Sequence, residues 1–216
     1  MSTKIENKLL IIGCGGHAKV ISDIAKSLGL SELYYLETNF KNKEFLGKEV
    51  IHKDINNFND NFFVAIGDNY LREKITHNFK LKNPNAINKT LIHPSSVVSE
   101  NCSIKNGTVV MPLCVINSGS KIGEGVIINT HASIDHDNFL MNYCSVAPGV
   151  ITGGDVQIGK RSVIGIGSTV KNNIEIGSDS VIGAASYVNK NIPDSSIYYG
   201  TPAKLVKSRK ASDKYL

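Results

Sequence analysis

From residue 92 to residue 188 an aliphatic side chain returns at every sixth position. The column runs Ile92, Val98, Ile104, Val110, Ile116, Ile122, Ile128, Ile134, Leu140, Val146, Thr152, Ile158, Ile164, Val170, Ile176, Ile182, Val188, and Thr152 is its one departure. Four residues after each comes a second column of mostly small side chains, such as Ser96, Cys102, Thr108, Cys114, Ser120, Ala132, Ser162 and Ser180, completed by Asn138, Ile174 and Ile192. A period of six fits neither the 3.6 of a helix nor the 2 of an ordinary strand. It fits a short flat strand plus a corner, three of which close a triangular coil. Coils stack about 4.8 Å apart, the spacing of paired strands. One coil cannot bury its own apolar face, so several must stack to be stable. Sandwich loops vary in length and would break this register, which holds here without an insertion; the period predicts a parallel β-helix.

The segment before the repeat has a different pattern. Leu9–Ile12 reads as a buried parallel strand, followed at once by Gly13-Cys14-Gly15-Gly16-His17-Ala18. Ala18 to Leu28 has helical spacing, with Gly29 placed to end it. Further strands are predicted at Leu33–Leu36 and Phe62–Ile66, the latter closing on Gly67-Asp68-Asn69, and a helix from Tyr70 to Phe79. The result is a small Rossmann-like βαβαβ unit. Gly13, Gly15 and Ala18 match a dinucleotide fingerprint, and Glu37 lies where an acid would bind a ribose. Only half a dinucleotide fold precedes the repeat, however, and half a fold can hold one nucleotide, its phosphate at a helix N-terminus. Residues 80 to 91 read as a linker, and His93-Pro94 as a structural corner.

The chain has 216 residues and a net charge of +5, from 24 basic and 19 acidic residues. The excess gathers in Lys204, Lys207, Arg209, Lys210 and Lys214. No arginine-rich block or interleaved aromatic run suggests nucleic acid as a partner. Of the four cysteines, Cys102, Cys114 and Cys144 stand in the small inward column, so core positions are expected, with no disulfide and no metal. The N-terminal apolar run is too short for a signal peptide, and no stretch approaches a membrane span. A reducing cytoplasm suits this composition.

Chemistry in a β-helix sits at its outward corners. His52 and His77 lie in polar surroundings and read as surface residues. His131 and His136 fall in Asn129-Thr130-His131-Ala132-Ser133-Ile134-Asp135-His136-Asp137, where His136 has carboxylates on both sides. A carboxylate beside an imidazole fixes its tautomer and stabilises the imidazolium, as a general base requires. Sequence neighbours need not touch, so spacing alone leaves His136 a candidate.

The Gly13–His17 turn, Ala65-Ile66-Gly67-Asp68-Asn69 with Arg72, the segment Asn129 to Asp137, and Gly200-Thr201-Pro202-Ala203-Lys204 occur together in that order. In this the chain resembles the NeuD/PglD-type sugar acetyltransferases of the hexapeptide-repeat acyltransferase superfamily. The resemblance implies a left-handed parallel β-helix and a homotrimer with active sites between subunits. It implies acetyl-CoA as co-substrate along the β-helix and a nucleotide sugar on the N-terminal unit. His136 would be the base and Asp137 its orienting acid. Gly13, Gly15, Gly16 and His17 would meet the sugar nucleotide, with Glu37, Gly67, Asp68 and Asn69 bordering it. Gly154 would offer an N–H to the acetyl carbonyl, and Ile166, Ala184, Gly200, Pro202 and Lys204 would line the path of coenzyme A. Two departures stand out: Asp137 where many members have glutamate, and Ser145 where histidine is common.

Three domains follow: residues 1–88 for the nucleotide sugar, 89–194 as the β-helix, and 195–216 as a tail contacting coenzyme A. The expected activity is N-acetylation of a nucleotide-linked amino sugar, a UDP-linked 4-amino-4,6-dideoxyhexose being the first expectation, by direct attack with His136 as base. O-acetylation of sialic acid is the nearer alternative, and a non-catalytic nucleotide-binding scaffold the alternative of another class.

Overall fold

The computed structural model describes residues 7–38, 41 and 43–215. They divide into two units: one runs up to Gly67 and resumes over Leu71–Leu91, the other comprises Asp68–Tyr70 and everything from Ile92 onward.

In the first unit the elements are β1 (Lys8–Ile12), α1 (Gly16–Ser27), β2 (Glu32–Leu36), β3 (Glu44–Phe45), β4 (Lys48–Ile51), β5 (Asn61–Val64), α2 (Asn69–Lys82) and β6 (Ile87–Asn88). They make one sheet in the order β3-β4-β2-β1-β5-β6. The continuous apolar run of β1 is explained by its place: it pairs in parallel with β2 and β5, and Leu9, Leu10, Ile11 and Ile12 are all buried. Successive strand residues point to opposite faces. Tyr35 meets α1 through a hydrogen bond to Ser22, while Leu36 joins Leu10, Phe62 and Phe79 of α2 in the core of the other face.

Three strands were not foreseen. The β3–β4 hairpin turns through Leu46 and Gly47, both at positive φ, as a two-residue hairpin turn requires. Residues 80–91, read as a linker, belong to the first unit: α2 continues to Lys82, and β6 adds in parallel to the edge of β5. Asn83 caps the end of α2, donating to the carbonyls of Phe79 and Ile55.

The second unit is a left-handed parallel β-helix. Val109 pairs with Ile127 and Ile127 with Ser145, so each coil is eighteen residues and each strand two. Three faces result. The first carries Leu91–Ile92, Val109–Val110 and so on to Val181–Ile182; the second runs from Val97–Val98 to Tyr187–Val188; the third from Ser103–Ile104 to Glu175–Ile176. The aliphatic column points inward and is buried from Val110 to Val188, at a gross gain of about 1.5–3 kcal/mol per side chain. Ile92, Val98 and Ile104 of the first coil are only half-buried.

The small column proves to be more than small. Thr108 donates to the Gly123 carbonyl and accepts from the Val126 N–H; Ser162 does the same with Gly177 and Ser180, and Ser168 with Gly183 and Ser186. Each such hydroxyl is a rung joining one coil to the next. Cys102 and Cys114 set their thiols against the corresponding carbonyls of Asn117 and Asn129. From the second coil onward the residue before many of these sites turns the corner in the left-handed region, as at Leu113, His131, Asp137, Tyr143, Asp155 and Arg161.

The last coil does not end in a free tail. Ser196–Tyr199 pairs in parallel with Val181–Ile182 on the first face, and Lys204–Ser208 folds back antiparallel upon it. Beyond it Arg209 is buried, donating to the carbonyls of Asp179 and Asp213. No helix among the described residues is long and apolar enough to cross a membrane.

Candidate functional site

His136 stands in the corner between strand Ser133–Ile134 of the second face and Phe139–Leu140 of the third. Its Nδ1 lies 2.8 Å from Asp137 Oδ2, and both side chains are more than half exposed. Asp137 takes φ 57°, so the chain turns sharply after the histidine and the carboxylate comes back alongside the ring. The hydrogen bond to Asp137, with Asp135 and Asp155 also near, holds the His136 pKa above the usual histidine value. Asp135 accepts from the His136 N–H at 2.8 Å and from Asn117 at 3.1 Å, and its carboxyl is held down by these bonds.

The coils above and below complete the setting with glycines. A Cβ on Gly154 would lie 2.4 Å from both Cε1 and Nε2 of His136. A Cβ on Gly119 would lie 2.1 Å from Asp137 Oδ1. The imidazole therefore rests on the bare Cα of one coil and its carboxylate on that of another. The Gly154 N–H donates to no group among the described residues, unlike its neighbours Gly153 and Asp155, which hydrogen-bond Val170 and His136.

Two of the departures from the repeat fall at this corner. Thr152, alone in the aliphatic column, accepts from the Asp135 N–H at 3.2 Å. Asn138, in the small column, donates to the carbonyls of Asp135, His136 and Gly153. Both were visible as irregularities in the sequence, and neither was connected to His136.

The structure brings His136, Asp137 and Gly154 together. It sets Ile166 and Ala184 elsewhere, in the corner between the first and second faces, exposed and one above the other, with the Ala185 N–H on the Ile166 carbonyl. Pro202 and Lys204 are exposed in and after the turn of the final hairpin, which opens at Gly200, φ 109°. The two groups thus flank the second face from opposite edges. Ser145 belongs to the first face, half-buried in its strand with Val146. His131 is exposed at its own left-handed corner, and His93 accepts from the Ser95 N–H.

In the first unit the glycine turn leads from β1 into α1. Gly13 is at φ 113° with the Ala65 carbonyl 3.1 Å from where its Cβ would be, so a side chain is excluded there. Gly15 and Gly16 face open space instead, and Gly15 is the extended N-cap of α1. His17 follows; burial, and then the Arg72 guanidinium, push its pKa down to about 4, so the ring is neutral at pH 7. Its Nε2 is buried with no hydrogen-bond partner among the described residues. Arg72, buried, donates to the carbonyls of Ile66 and Gly67 and fixes that loop. Glu37 lines a cleft of about 280 Å³ with Ile12, Leu36, Ile66 and Ile75. Asp68 is half-buried. Asn69, which belongs to the second unit, is buried; its amide donates to the carbonyls of Arg161 and Ser162, and its N–H to the Tyr215 hydroxyl.

The PglD N-terminal domain model matches residues 8–79. Over 110 residues the chain is 30% identical to the GDP-perosamine N-acetyltransferase of Escherichia coli O157:H7, covering 51% of this chain and 49% of that one. Over 109 residues it is 32% identical to the UDP-N-acetylbacillosamine N-acetyltransferase of Bacillus subtilis (strain 168), covering 47% and 50%. The chain thus spans about half the length of the curated relatives it matches. Among solved structures, the acetyltransferase domain of PglB from Neisseria gonorrhoeae FA1090 in complex with acetyl coenzyme A aligns with TM-score 0.87 and 33% identity, over 93% of this chain and 100% of that one. PerB from Caulobacter crescentus in complex with CoA and GDP-perosamine aligns with TM-score 0.82 and 31% identity, over 93% and 97%. Likeness of that degree across both units, with the histidine–aspartate corner in place, means that the chain belongs to the PglD-type sugar acetyltransferases of the hexapeptide-repeat β-helix superfamily.

Proposed function

We propose that this protein is an acetyl-CoA-dependent N-acetyltransferase acting on a nucleotide-linked amino sugar. The observation that carries the reading is the exposed His136–Asp137 pair with its Nε2 edge lying over Gly154. An imidazole whose Nδ1 is held by a carboxylate presents Nε2 to a substrate as a base. The sugar amine attacks the thioester carbonyl, its excess proton passes to His136 Nε2, and the tetrahedral intermediate collapses with loss of the coenzyme A thiolate. The imidazolium then returns the proton to sulfur. The Gly154 N–H, beside the same ring edge, is the donor we assign to the oxyanion. Cys144 is fully buried and takes no part.

The sugar nucleotide is assigned to the first unit. Its support is the open space at Gly15 and Gly16 before α1, the neighbouring Glu37 cleft, and the unpartnered His17 Nε2. A diphosphate gains from the N-terminal end of a helix. Coenzyme A is assigned to the edge formed by Ile166, Ala184, Gly200, Pro202 and Lys204. That edge and His136 lie on opposite sides of the second face of one chain, so a neighbouring copy completes the site, and a homotrimer is the assembly that does so. The second face itself offers the apolar Val97 and Ile151, 65% and 51% exposed.

The relatives' names carry both GDP- and UDP-sugars. Incubation with acetyl-CoA and a panel of UDP-, GDP- and dTDP-linked amino sugars and sialic acids, following free thiol, tests the reading. Thiol release with an amino sugar is expected, a UDP-linked 4-amino-4,6-dideoxyhexose being the first to try. Release with sialic acid alone would replace it by O-acetylation.

A further inference from the structure

Asn138 occupies a position that elsewhere in the β-helix holds a small hydroxyl, thiol or aliphatic group, and it is 1% exposed. Part of what it does is the ordinary rung: Nδ2 donates at 2.9 Å to the carbonyl of Gly153, fifteen residues on, as Ser162 does to Gly177. The rest goes further than its neighbours in the column, where Ser186, Ser180 and Cys114 each reach one preceding carbonyl, of Gly183, Ser178 and Pro112. The same nitrogen reaches the carbonyls of Asp135 at 2.8 Å and His136 at 3.1 Å. Neither of these needs it: Asp135 already accepts from the Ser120 hydroxyl and His136 from the Asp155 N–H. The other half of the amide is a liability. Oδ1 is buried without a partner among the described residues, where a serine would accept the next coil's N–H. An unsatisfied buried acceptor destabilises a fold, and a serine would remove it.

An amide that adds redundant donors at one atom and an orphaned acceptor at the other is poorly explained by stability. What it does achieve is geometric. It ties two successive carbonyls beneath His136 to the carbonyl of Gly153 in the next coil, and Gly154 follows at once with its bare Cα against the ring. Thr152 adds a second tie, accepting from the Asp135 N–H. We propose that Asn138 is a positioning residue that braces the His136 corner against the coil carrying Gly154, fixing the imidazole relative to both Asp137 and the bound acyl group. This rests on the reading of His136 as the base.

The test compares Asn138→Ser, which keeps the rung to Gly153, and Asn138→Val, the residue of the same column at Val126, Val150 and Val156, with the wild type. The control is Thr108→Val, which removes a rung on a coil corner without the histidine. The measurements are urea midpoint, kcat, both KM values, the pH profile of kcat/KM, and the NMR titration of the His136 ring. Asn138→Ser is expected to unfold at the same or higher urea, yet to lose about tenfold in kcat with KM within threefold. Its ring titration and the acid limb of its pH profile should move to lower pH as the bond to Asp137 loosens; Asp135 and Asp155, the other charges near the ring, are unchanged. Thr108→Val should lose stability and keep both profiles. Wild-type kcat and titration in Asn138→Ser would overturn the proposal. So would losses in Asn138→Val that only follow the folded fraction, with the profiles unmoved. Because the NMR titration needs no turnover, a shifted ring in Asn138→Ser beside a wild type without acetyltransferase activity would sink the acetyltransferase reading and leave the bracing intact.

Discussion

Replacing Gly154 with alanine should slow the reaction about a hundredfold without unfolding the protein. A Cβ there would stand 2.4 Å from Cε1 and Nε2 of His136, whereas ordinary contact begins near 3.4 Å, so the ring edge must retreat by about 1 Å. Gly154 is not in the left-handed region, so alanine can adopt its backbone. The group that yields is the end of a side chain 60% exposed, free to swing toward solvent. Stability should therefore change by about 0.5 kcal/mol or less. A 1 Å misplacement of a catalytic group can cost about 10² in rate, so kcat should fall by that order with little change in either KM. Gly153→Ala is the contrast. Its Cβ would meet the backbone nitrogen of Asn172 at 2.7 Å, which cannot swing aside, so its penalty should appear in the melting temperature. If Gly154→Ala acts by displacing the ring, it should add almost nothing in a His136→Ala background, since residues acting as a unit are not additive. Near wild-type kcat in Gly154→Ala, or a full further loss in the double variant, would refute the ring-on-glycine geometry.

His136→Ala should lower kcat by about 10² to 10⁴, and His131→Ala, at an exposed corner on an earlier turn of the chain, should keep most activity; steady-state kinetics with the reversed outcome would move the base. A base works unprotonated, so kcat/KM should rise with pH through a His136 pKa that Asp137 holds above about 6.5. Asp137→Asn, which tolerates the left-handed backbone, should move that limb to lower pH and lower the plateau about tenfold to a hundredfold. His17 titrates at about 4 when folded and near the ordinary value when unfolded, so the unfolded chain binds more protons between those limits and stability rises with pH across that window; urea melts of His17→Gln should show a shallower rise between pH 4 and 6.5. Light scattering at micromolar concentration should give three times the 23.4 kDa chain mass, and a monomer would remove the shared site.

The period of six carried its own answer because a β-helix is nearly one-dimensional: each inward residue needs only to match the ones eighteen positions away. The columns of Ile128, Val146 and Ile164, and the glycine turn leading from β1 into α1, could thus be read from residue type and spacing. The pairing of His136 with Asp137 was implied by the family resemblance, while adjacency in the chain left it open. The edges of the first unit could not be read. β6 has two residues and α2 ends in Lys80-Leu81-Lys82 with Leu81 exposed, so neither shows a period to read. Nor could the partners of the Asn69 amide, the carbonyls of Arg161 and Ser162, which lie far along the chain. What the tertiary structure alone decided is the surroundings of the histidine. Gly154 and Gly119 lie a coil away from the groups they accommodate, and Thr152 and Asn138 look like flaws in the repeat until their partners are seen. Side-chain direction at a corner depends on one backbone angle, and φ 57° at Asp137 turns its carboxylate back toward the imidazole of His136.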